Sequence, residues 1–263
     1  MRPGHDRAQQ AGPREGSMRR IGIIGGMSWE STATYYRRIN EMVADKLGGY
    51  HSADIVMASV DFDPIERMQR NGDWDAAAVA LATRARELEA ACADVVILAT
   101  NTMHKVADHI RDAIQMPFIH IADAVAAETT RAGVETLGLL GTRFTMEEDF
   151  YRGYLEQEHG LSVIVPDEQD RAYVDRVIFM ELVHGQIREE SRRRFLRICA
   201  ELQQRGADAV IEGCTEIGML LPDGALNTAD PPDMPPLIDS TEAHCKAVVD
   251  FALSDQATIP ALS

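Results

Sequence analysis

The chain has 263 residues, of which 45% are hydrophobic and 26% charged, and its formal net charge at pH 7 is −16. This composition is typical of a globular protein of one large or two small domains, and no apolar run approaches the roughly 20 residues that span a bilayer. The acidic charge argues against nucleic acid, whose binding depends on clustered Lys and Arg, so we expect neither nucleic acid nor membrane as a partner.

The N-terminal residues and the cysteines indicate the cellular compartment. Residues 1–17 are rich in Gly, Pro, Arg and Gln and lack the apolar core of a signal peptide, so we predict a disordered N-terminal extension, or a mis-assigned start before Met18. The four cysteines show neither metal-ligand spacing nor the density of a disulfide scaffold, and the eight histidines include no His-x-x-x-His pair. We therefore expect a reduced, cytoplasmic protein without a metal.

From Met18 onward, short apolar runs alternate with longer segments of helical periodicity. The first run is Ile21–Gly25. Because such runs are continuous rather than alternating, they predict strands that are buried on both faces of a parallel sheet. Cys92, Cys199 and Cys245 fall in the helical segments, where a cysteine is most often a small buried hydrophobe.

The same pattern occurs twice along the chain. The segments 93–97 and 207–211 match at an offset of 114 residues, and so do the tripeptides Thr100–Thr102 and Cys214–Glu216. Further matching pairs are Ile21–Gly25 with Leu137–Gly141, and Met116–Ile119 with Pro235–Ile238. This duplication predicts two similar α/β units, each with a parallel sheet, because chance similarity rarely keeps one offset over several motifs.

Four predicted strand ends carry residues that suit a ligand site. In chain order they are Gly25–Ser28, Thr100–Thr102, Gly141–Thr142 and Gly213–Glu216. Ligands of open α/β sheets bind beyond the carboxyl ends of the strands, and backbone N–H groups at a helix start attract carboxylates. An acidic protein can thus bind an anion locally. A dinucleotide site is disfavoured because the first strand end lacks the G-x-G-x-x-G spacing.

Cys214 differs from the other cysteines because it follows a predicted strand and a glycine. We expect a helix to begin there, which would lower the pKa of its thiol and favour the thiolate. Thr100 holds the equivalent position in the first half. Two equivalent strand ends that face a shared cleft can act on opposite faces of one small molecule.

The sequence resembles the aspartate/glutamate racemase family, and in particular its bacterial amino-acid racemases. The similarity extends from Met18 to about Leu253. The matching motifs are Gly25–Ser31, Ser59–Phe62, Asn101–His104, Gly141–Met146 and Gly213–Gly218.

This resemblance implies two pseudo-symmetric α/β domains with parallel sheets and an active site in the cleft between them. The first domain comprises residues 18–120 plus 238–255, and the second comprises residues 121–237. The resemblance also implies a homodimer that uses no pyridoxal phosphate, metal or other cofactor.

The usual mechanism of this family uses two cysteines, one that abstracts the α-proton and one that protonates the opposite face. Cys214 is present here, but the first-half position is Thr100, whose neutral hydroxyl is a far weaker base than a thiolate. We therefore expect an asymmetric racemase of an acidic amino acid, aspartate or glutamate, with Cys214 as the acid/base. By resemblance to members with this Thr/Cys pair, the L-enantiomer is the preferred substrate.

The resemblance also assigns residues to the amino-acid pocket. They are Met27, Gln69, Asn101, Thr102, Thr142 and Thr215. Hydroxyl, amide and backbone donors among them suit the α-carboxylate and the charge that develops there. Glu216 could receive the substrate ammonium or cap its helix, and we favour the cap. His104 is expected to be a helix-surface or packing histidine rather than a base, because its turn faces away from the strand end.

A second departure from the family concerns the side-chain carboxylate of the substrate. Related racemases place a lysine near Tyr173, in a segment that we expect to be a loop, but none of the three lysines of this chain lies there. Arg67, Arg171 or Arg176 could substitute for it.

Two other functions remain open at this point. One is a malonate-type decarboxylase, which needs a single cysteine to protonate an enolate, and the other is an amino-acid-binding protein that has lost catalysis. A pyridoxal enzyme is disfavoured because none of the lysines lies at a predicted strand end.

Overall fold

The computed structural model describes residues 18–221 and 234–254. The strands in these ranges are β1 (Ile21–Gly25), β2 (Ile55–Ser59), β3 (Val95–Leu98), β4 (Thr136–Gly141), β5 (Ser162–Ile164), β6 (Ala209–Gly213) and β7 (Leu237–Asp239). The predicted N-terminal extension, residues 1–17, and residue 255 of the predicted first domain lie outside the described residues.

Helices occupy most of the connections between the strands. They are α1 (Trp29–Leu47), α2 (Phe62–Asn71), α3 (Trp74–Ala90), α4 (Ala107–Arg111), α5 (Ile121–Ala132), α6 (Arg143–Glu147), α7 (Arg152–His159), α8 (Glu168–Met180), α9 (Glu189–Gln204), α10 (Ile217–Leu220) and α11 (Ser240–Leu253), with 3-10 helices at Thr102–Val106 and Leu182–His184. None of the helices in the described ranges is long and apolar enough to cross a bilayer.

The strands form two parallel sheets, with the order β2-β1-β3 in the first half and β5-β4-β6-β7 in the second. Strands β1, β3 and β6 are buried along their whole length. Burial on both faces is what the continuous apolar runs predicted, and it confirms an α/β fold with parallel sheets.

The predicted repeat extends to the edge of each sheet. The backbone N–H of Val96 donates to the Pro117 carbonyl at 2.9 Å, and that of Val210 donates to the Pro236 carbonyl at 2.8 Å. Matching residues therefore hold matching places in the two sheets. The predicted domain boundary differs in one detail: β7 pairs with β6, which keeps residues 238 and 239 in the second sheet rather than the first domain.

Each half sends a helix to the core of the other half. Helix α5 follows the edge of the first sheet, yet its Ile121 and Val125 pack in the apolar cluster of the second sheet. Helix α11 follows the edge of the second sheet, and its Val248 and Val249 pack with Ile23 under the first sheet. Helices α5 and α11 also pack against each other. This exchange fixes the relative position of the two sheets.

His244 of α11 fastens the exchanged helix to the first half. Its Nε2 donates to the Ile119 carbonyl at 2.9 Å, and its Nδ1 accepts from the Tyr35 hydroxyl at 3.0 Å. Both ring nitrogens are thus used by the neutral imidazole. Burial, the largest cause, lowers the pKa of His244 to about 4.

We expect acid to destabilise the fold through His244. The folded pKa is about 4 and the unfolded value is 6.5, so the unfolded chain binds the extra proton as the pH falls through this interval. The stabilisation is complete above the unfolded pKa, and about 3 kcal/mol of it is lost as the pH falls to the folded pKa. Urea unfolding at a series of pH values measures this loss.

The matched control is His244→Gln, which cannot titrate. Its free energy of unfolding should depend less steeply on pH over the same interval, even though the variant is less stable at neutral pH. Parallel pH dependences of the two proteins would contradict this role for His244.

Cys92 is an exception to the prediction that the three non-catalytic cysteines are buried. Cys199 and Cys245 are buried as expected, but Cys92 is exposed in the turn after α3. Its φ is 59°, in the left-handed region that disfavours a side chain. The equivalent residue after α9 is Gly206, with φ of 100°, and both turns close with the same backbone hydrogen bonds.

The variant Cys92→Gly should therefore stabilise the protein by up to about 1 kcal/mol, because glycine adopts this conformation without a steric penalty. The control Gly206→Ala, in the equivalent turn, should destabilise it by a similar amount. Urea unfolding of both variants tests the pair, and a stability loss in Cys92→Gly would show that the thiol itself is needed there.

Candidate active site

The first strand end, after β1, is shaped by a glycine and a helix cap. Gly26 has φ of 96°, and a Cβ at this position would lie 2.2 Å from the Val60 carbonyl oxygen, so only glycine fits. Ser28 then caps α1, because its hydroxyl accepts from the backbone N–H of Ser31 at 3.2 Å. The two serine hydroxyls at the start of α1 are thereby held beyond the sheet.

Thr100, after β3, is held from behind by His104. The Nδ1 of His104 donates to the Thr100 carbonyl at 2.8 Å, and its Nε2 accepts from the backbone N–H of Ile121 at 3.2 Å. Burial holds the pKa of His104 well below its usual value, so the ring is neutral. His104 is a buried packing residue, as predicted, but it faces the strand end rather than away from it.

Asn101 points across to the second half of the chain. Its Nδ2 donates to Ser240 Oγ at 3.3 Å, and Ser240 Oγ donates its one proton to the Glu212 carbonyl at 2.7 Å. Ser240 can therefore only accept from Asn101, which fixes the orientation of the amide. The Oδ1 of Asn101 is then a buried acceptor with no hydrogen-bond partner among the described residues. Asn101 makes no side-chain capping bond to the following helical turn.

Threonine hydroxyls make contacts at the strand ends that follow β4 and β6. Thr142 follows β4 and caps α6 by accepting from the Thr145 N–H, and its hydroxyl lies 3.4 Å from that of Thr102 in the first half. Thr215, after β6, accepts a hydrogen bond of 3.4 Å from the hydroxyl of Thr241. Three of the predicted binding residues thus lie at the strand ends as expected.

Cys214 lies beside a buried carboxylate. Its Sγ donates to Glu216 Oε2 at 2.9 Å, while Glu216 Oε1 accepts from Ser31 Oγ at 3.2 Å and Ser28 Oγ at 3.3 Å. Glu216 is only 7% exposed and makes no side-chain capping bond to α10, so the favoured cap prediction is wrong. The carboxylate instead joins the start of α1 to the strand end that bears the thiol.

The expectation that a helix start lowers the pKa of Cys214 is also wrong. Helix α10 begins only at Ile217 and has four residues, so its dipole is weak and starts beyond the thiol. Burial of the sulfur, followed by the negative charge of Glu216, raises the pKa of Cys214 well above its usual value. The resting form at neutral pH is the thiol.

Met27 and Gln69 are anchored within the first half. Met27 belongs to the same apolar cluster as Met103, and Gln69 Nε2 donates to Met103 Sδ at 2.7 Å. Both side chains are buried. Their part in substrate binding stays a prediction.

The three candidate arginines all have partners already. Arg67 forms an ion pair of 2.8 Å with Asp63, and Arg176 lies 5.0 Å from the centre of the Tyr173 ring. Arg171 donates to Glu147 at 3.0 Å and to a backbone carbonyl. The segment around Tyr173 is helix α8 rather than the expected loop, because Asp167 caps it and its buried residues recur at helical spacing.

A cavity of about 460 Å³ adjoins Glu216 on the side of α1. Its walls include Ser31 and Arg38 from α1, Thr215, and Thr241 from α11. No cluster of three His, Cys, Asp or Glu side chains in residues 18–221 and 234–254 could hold a metal ion.

Sequence reasoning missed three residues of this arrangement, namely Ser28, Ser31 and Ser240. The first two lie in a motif that was recognised, but nothing in the sequence links Ser31 to Glu216, which is 185 residues away. Ser240 follows a strand end in the same way as Ile121 in the first half, and the internal repeat could have drawn attention to it.

Known proteins match this chain over most of its length. The family model of Asp/Glu/hydantoin racemases matches residues 24–248. The broad specificity amino-acid racemase RacX of Bacillus subtilis (strain 168) is 24% identical over 237 residues, covering 90% of this chain and 99% of that protein.

Two crystal structures are similar both in sequence and in fold. A Yersinia pestis protein assigned as an Asp/Glu racemase is 47% identical, with a TM-score of 0.83 and coverage of 90% of this chain and 100% of that one. An aspartate racemase homologue from Pyrococcus horikoshii OT3 is 33% identical, with a TM-score of 0.78 and the same 90% and 100% coverage.

Proposed function

Because the chain belongs to the Asp/Glu/hydantoin racemase family, we propose that it is a cofactor-independent amino-acid racemase with Cys214 as the acid/base. The observation that carries this proposal is the junction of the equivalent strand ends that bear Cys214 and Thr100. The neighbouring residue Asn101 bonds to Ser240, and Ser240 bonds back to the strand that precedes Cys214.

In the proposed reaction, Cys214 first gives up its thiol proton, and the resulting thiolate sulfur removes the α-proton from one face of the amino acid. The Cα–H bond breaks, an S–H bond forms, and the electron pair is delocalised into the α-carboxylate. A proton then returns to the opposite face, where the Thr100 hydroxyl relays it or orients the water that supplies it. Since a threonine hydroxyl is a poor base, abstraction from the Thr100 side is slow, and the L-enantiomer is the proposed preferred substrate.

The groups at the strand ends divide into donors and an acceptor. The hydroxyls of Thr102, Thr142 and Thr215 can donate to the α-carboxylate and to the negative charge that grows on it during abstraction. The Oδ1 of Asn101 can only accept, and no group in residues 18–221 or 234–254 donates to it. We assign it to the α-ammonium group, whose N–H bonds would satisfy it.

We propose aspartate or glutamate as the substrate. Two of the similar proteins are named for aspartate or for Asp/Glu, and the B. subtilis relative is named for broad specificity. Arg67, Arg171 and Arg176 would each have to leave a present partner to bind a second carboxylate. A panel of L- and D-amino acids with acidic, neutral and basic side chains decides the matter.

The central prediction is that the wild-type protein exchanges the α-proton of an L-amino acid in deuterated buffer, as followed by proton NMR. Cys214→Ala should reduce this exchange by at least about 100-fold, the scale of a lost acid/base group. Thr100→Cys should raise the initial rate for the D-enantiomer by about tenfold or more, because a second thiol then serves its face. Cys92→Ser, which alters an exposed cysteine, should leave the rates unchanged.

Three results would contradict this proposal in different ways. Full exchange in Cys214→Ala would remove the thiol from the mechanism, and equal initial rates for both enantiomers would remove the asymmetry. Turnover of substituted malonates without amino-acid exchange would indicate the single-cysteine decarboxylase. Thermal stabilisation by an amino acid without any exchange would indicate a binding protein.

A separate prediction concerns Asn101. Replacing it with Ala removes the acceptor assigned to the ammonium, a charged hydrogen bond of about 1.5–3 kcal/mol, so KM should rise about tenfold or more. Alanine also removes the bond to Ser240, and Ser240→Ala is the control for that loss. A rise in KM of equal size in both variants would show that the Ser240 contact, not the free oxygen, matters for binding.

A further inference from the structure

We propose that Glu216 is the residue through which Cys214 acts as a base, because it takes the thiol proton when the sulfur removes the α-proton. We further propose that the cavity beside Glu216 returns this proton to solvent. The inference rests on the proposed racemase function and adds to it a second proton-holding group beside Cys214.

The geometry favours one orientation of the carboxylate. Oε2 accepts from the Cys214 sulfur at 2.9 Å, and Oε1 is held by the hydroxyls of Ser28 and Ser31. All three contacts are donated to Glu216, which is what an ionised carboxylate requires, since it can only accept. One oxygen is therefore kept facing the thiol, at hydrogen-bond distance, before any substrate arrives.

The chemistry of the thiol creates the need for such a partner. A protonated sulfur cannot accept the α-proton, and the pKa of Cys214 lies well above its usual value because of burial and the nearby charge of Glu216. Passing the proton to Oε2 in the same step removes this obstacle. The S–H bond breaks as an O–H bond forms on Glu216, and the sulfur takes the proton of the breaking Cα–H bond.

The charges balance in this sequence. At rest the pair consists of a thiol and a carboxylate and carries one negative charge. After abstraction it consists of a thiol and a carboxylic acid and is neutral, while the substrate has gained the negative charge on its α-carboxylate. The neutral pair of Cys214 and Glu216 does not repel the negative charge that has formed on the substrate. The Glu216 carboxylate raises the pKa of the thiol at rest, but once protonated it no longer opposes the charged intermediate.

The surroundings of the pair are mainly acidic. Among the described residues, the charged groups near the pair or lining the cavity are Asp175 from α8, Glu30, Arg37 and Arg38 from α1, Glu212 from β6, Asp239 from β7 and Glu242 from α11. Arg38 donates to both carboxylate oxygens of Glu242. Acidic side chains thus outnumber the arginines in this described part of the surroundings.

The cavity has the size for a water path. Its volume of about 460 Å³ exceeds the roughly 10–15 Å³ that a cavity needs to hold one water molecule many times over, and polar side chains are among its walls. Glu216 lines this cavity and also bonds to the sulfur. A proton on its carboxyl group can thus reach water in this cavity.

The rival role for Glu216 is purely structural, because its bonds to Ser28 and Ser31 join the two halves of the chain. The thiol itself separates the two roles. In a Cys92→Ser background, alkylation of Cys214 by iodoacetamide can be followed by mass spectrometry from about pH 6 to about pH 10. Glu216→Gln should lower the apparent pKa of the thiol by roughly one unit or more, because a negative charge beside it is removed.

Racemase kinetics provide the second readout. Glu216→Gln should lose about 100-fold or more in kcat for α-proton exchange at neutral pH, with KM changed only a few-fold. Its remaining rate should rise about tenfold per pH unit in the alkaline range, where thiolate forms directly, while the wild type stays nearly flat. Glu216→Asp retains a carboxylate, displaced by one methylene, and should recover part of the rate.

Two variants serve as matched controls. Glu242→Gln removes a carboxylate that lines the same cavity without contacting the sulfur, and it should leave the thiol pKa unchanged. Ser31→Ala removes one bond to the far oxygen of Glu216 and keeps the carboxylate, so it should retain the wild-type pH profile. Thermal unfolding of all variants shows whether each one is folded.

The outcomes are distinguishable. If Glu216→Gln keeps the wild-type thiol pKa and pH profile, the inference is wrong. If Ser31→Ala and Glu216→Gln lose activity alike and both melt early, Glu216 is a structural tie. If the wild type exchanges no amino acid but Glu216→Gln still shifts the thiol pKa, the proposed function fails and the coupling of the two side chains stands.

Discussion

The exchange of α5 and α11 between the two sheets is the constraint on which the arrangement of this protein depends. Each helix leaves one sheet at its edge and buries its apolar face in the core of the other, so neither half can rotate without exposing that face to water. The ends of β3 and β6 are thereby held towards each other. Single hydrogen bonds, such as the one between Asn101 and Ser240, then suffice to set the fine geometry.

The side chains at the equivalent strand ends of the two halves differ in charge. The first-half strand end offers Thr100, with a neutral histidine behind it, while the second-half strand end offers a thiol beside a carboxylate. The negative charge of Glu216 raises the free energy of forming a thiolate at Cys214. Its position beside the thiol is consistent with the proposal that the carboxylate accepts the thiol proton. The internal symmetry of the backbone thus supports an asymmetric arrangement of side chains.

The internal repeat correctly predicted which backbone positions are equivalent in the two halves. It did not predict the ionisation of the Cys214 thiol. Residues matched at an offset of 114 occupy the same turn, as Cys92 and Gly206 illustrate, and the same edge of a sheet, as Val96 and Val210 do. The prediction of a low thiol pKa was wrong because it placed the start of a helix at Cys214, whereas α10 begins at Ile217. Four residues of helix supply little dipole, and a buried carboxylate 2.9 Å away outweighs it.

The sequence by itself determined the parallel α/β architecture, the duplication and the strand ends that bear Thr100 and Cys214, because these follow from local apolar patterns and short motifs. It also identified the family. Only the tertiary structure decided the partners of Glu216, the orientation of the Asn101 amide and the protonation of Cys214. These features depend on contacts between side chains from distant parts of the chain. The protonation of Cys214 also depends on how completely packing excludes water from the sulfur. No local sequence pattern encodes either property.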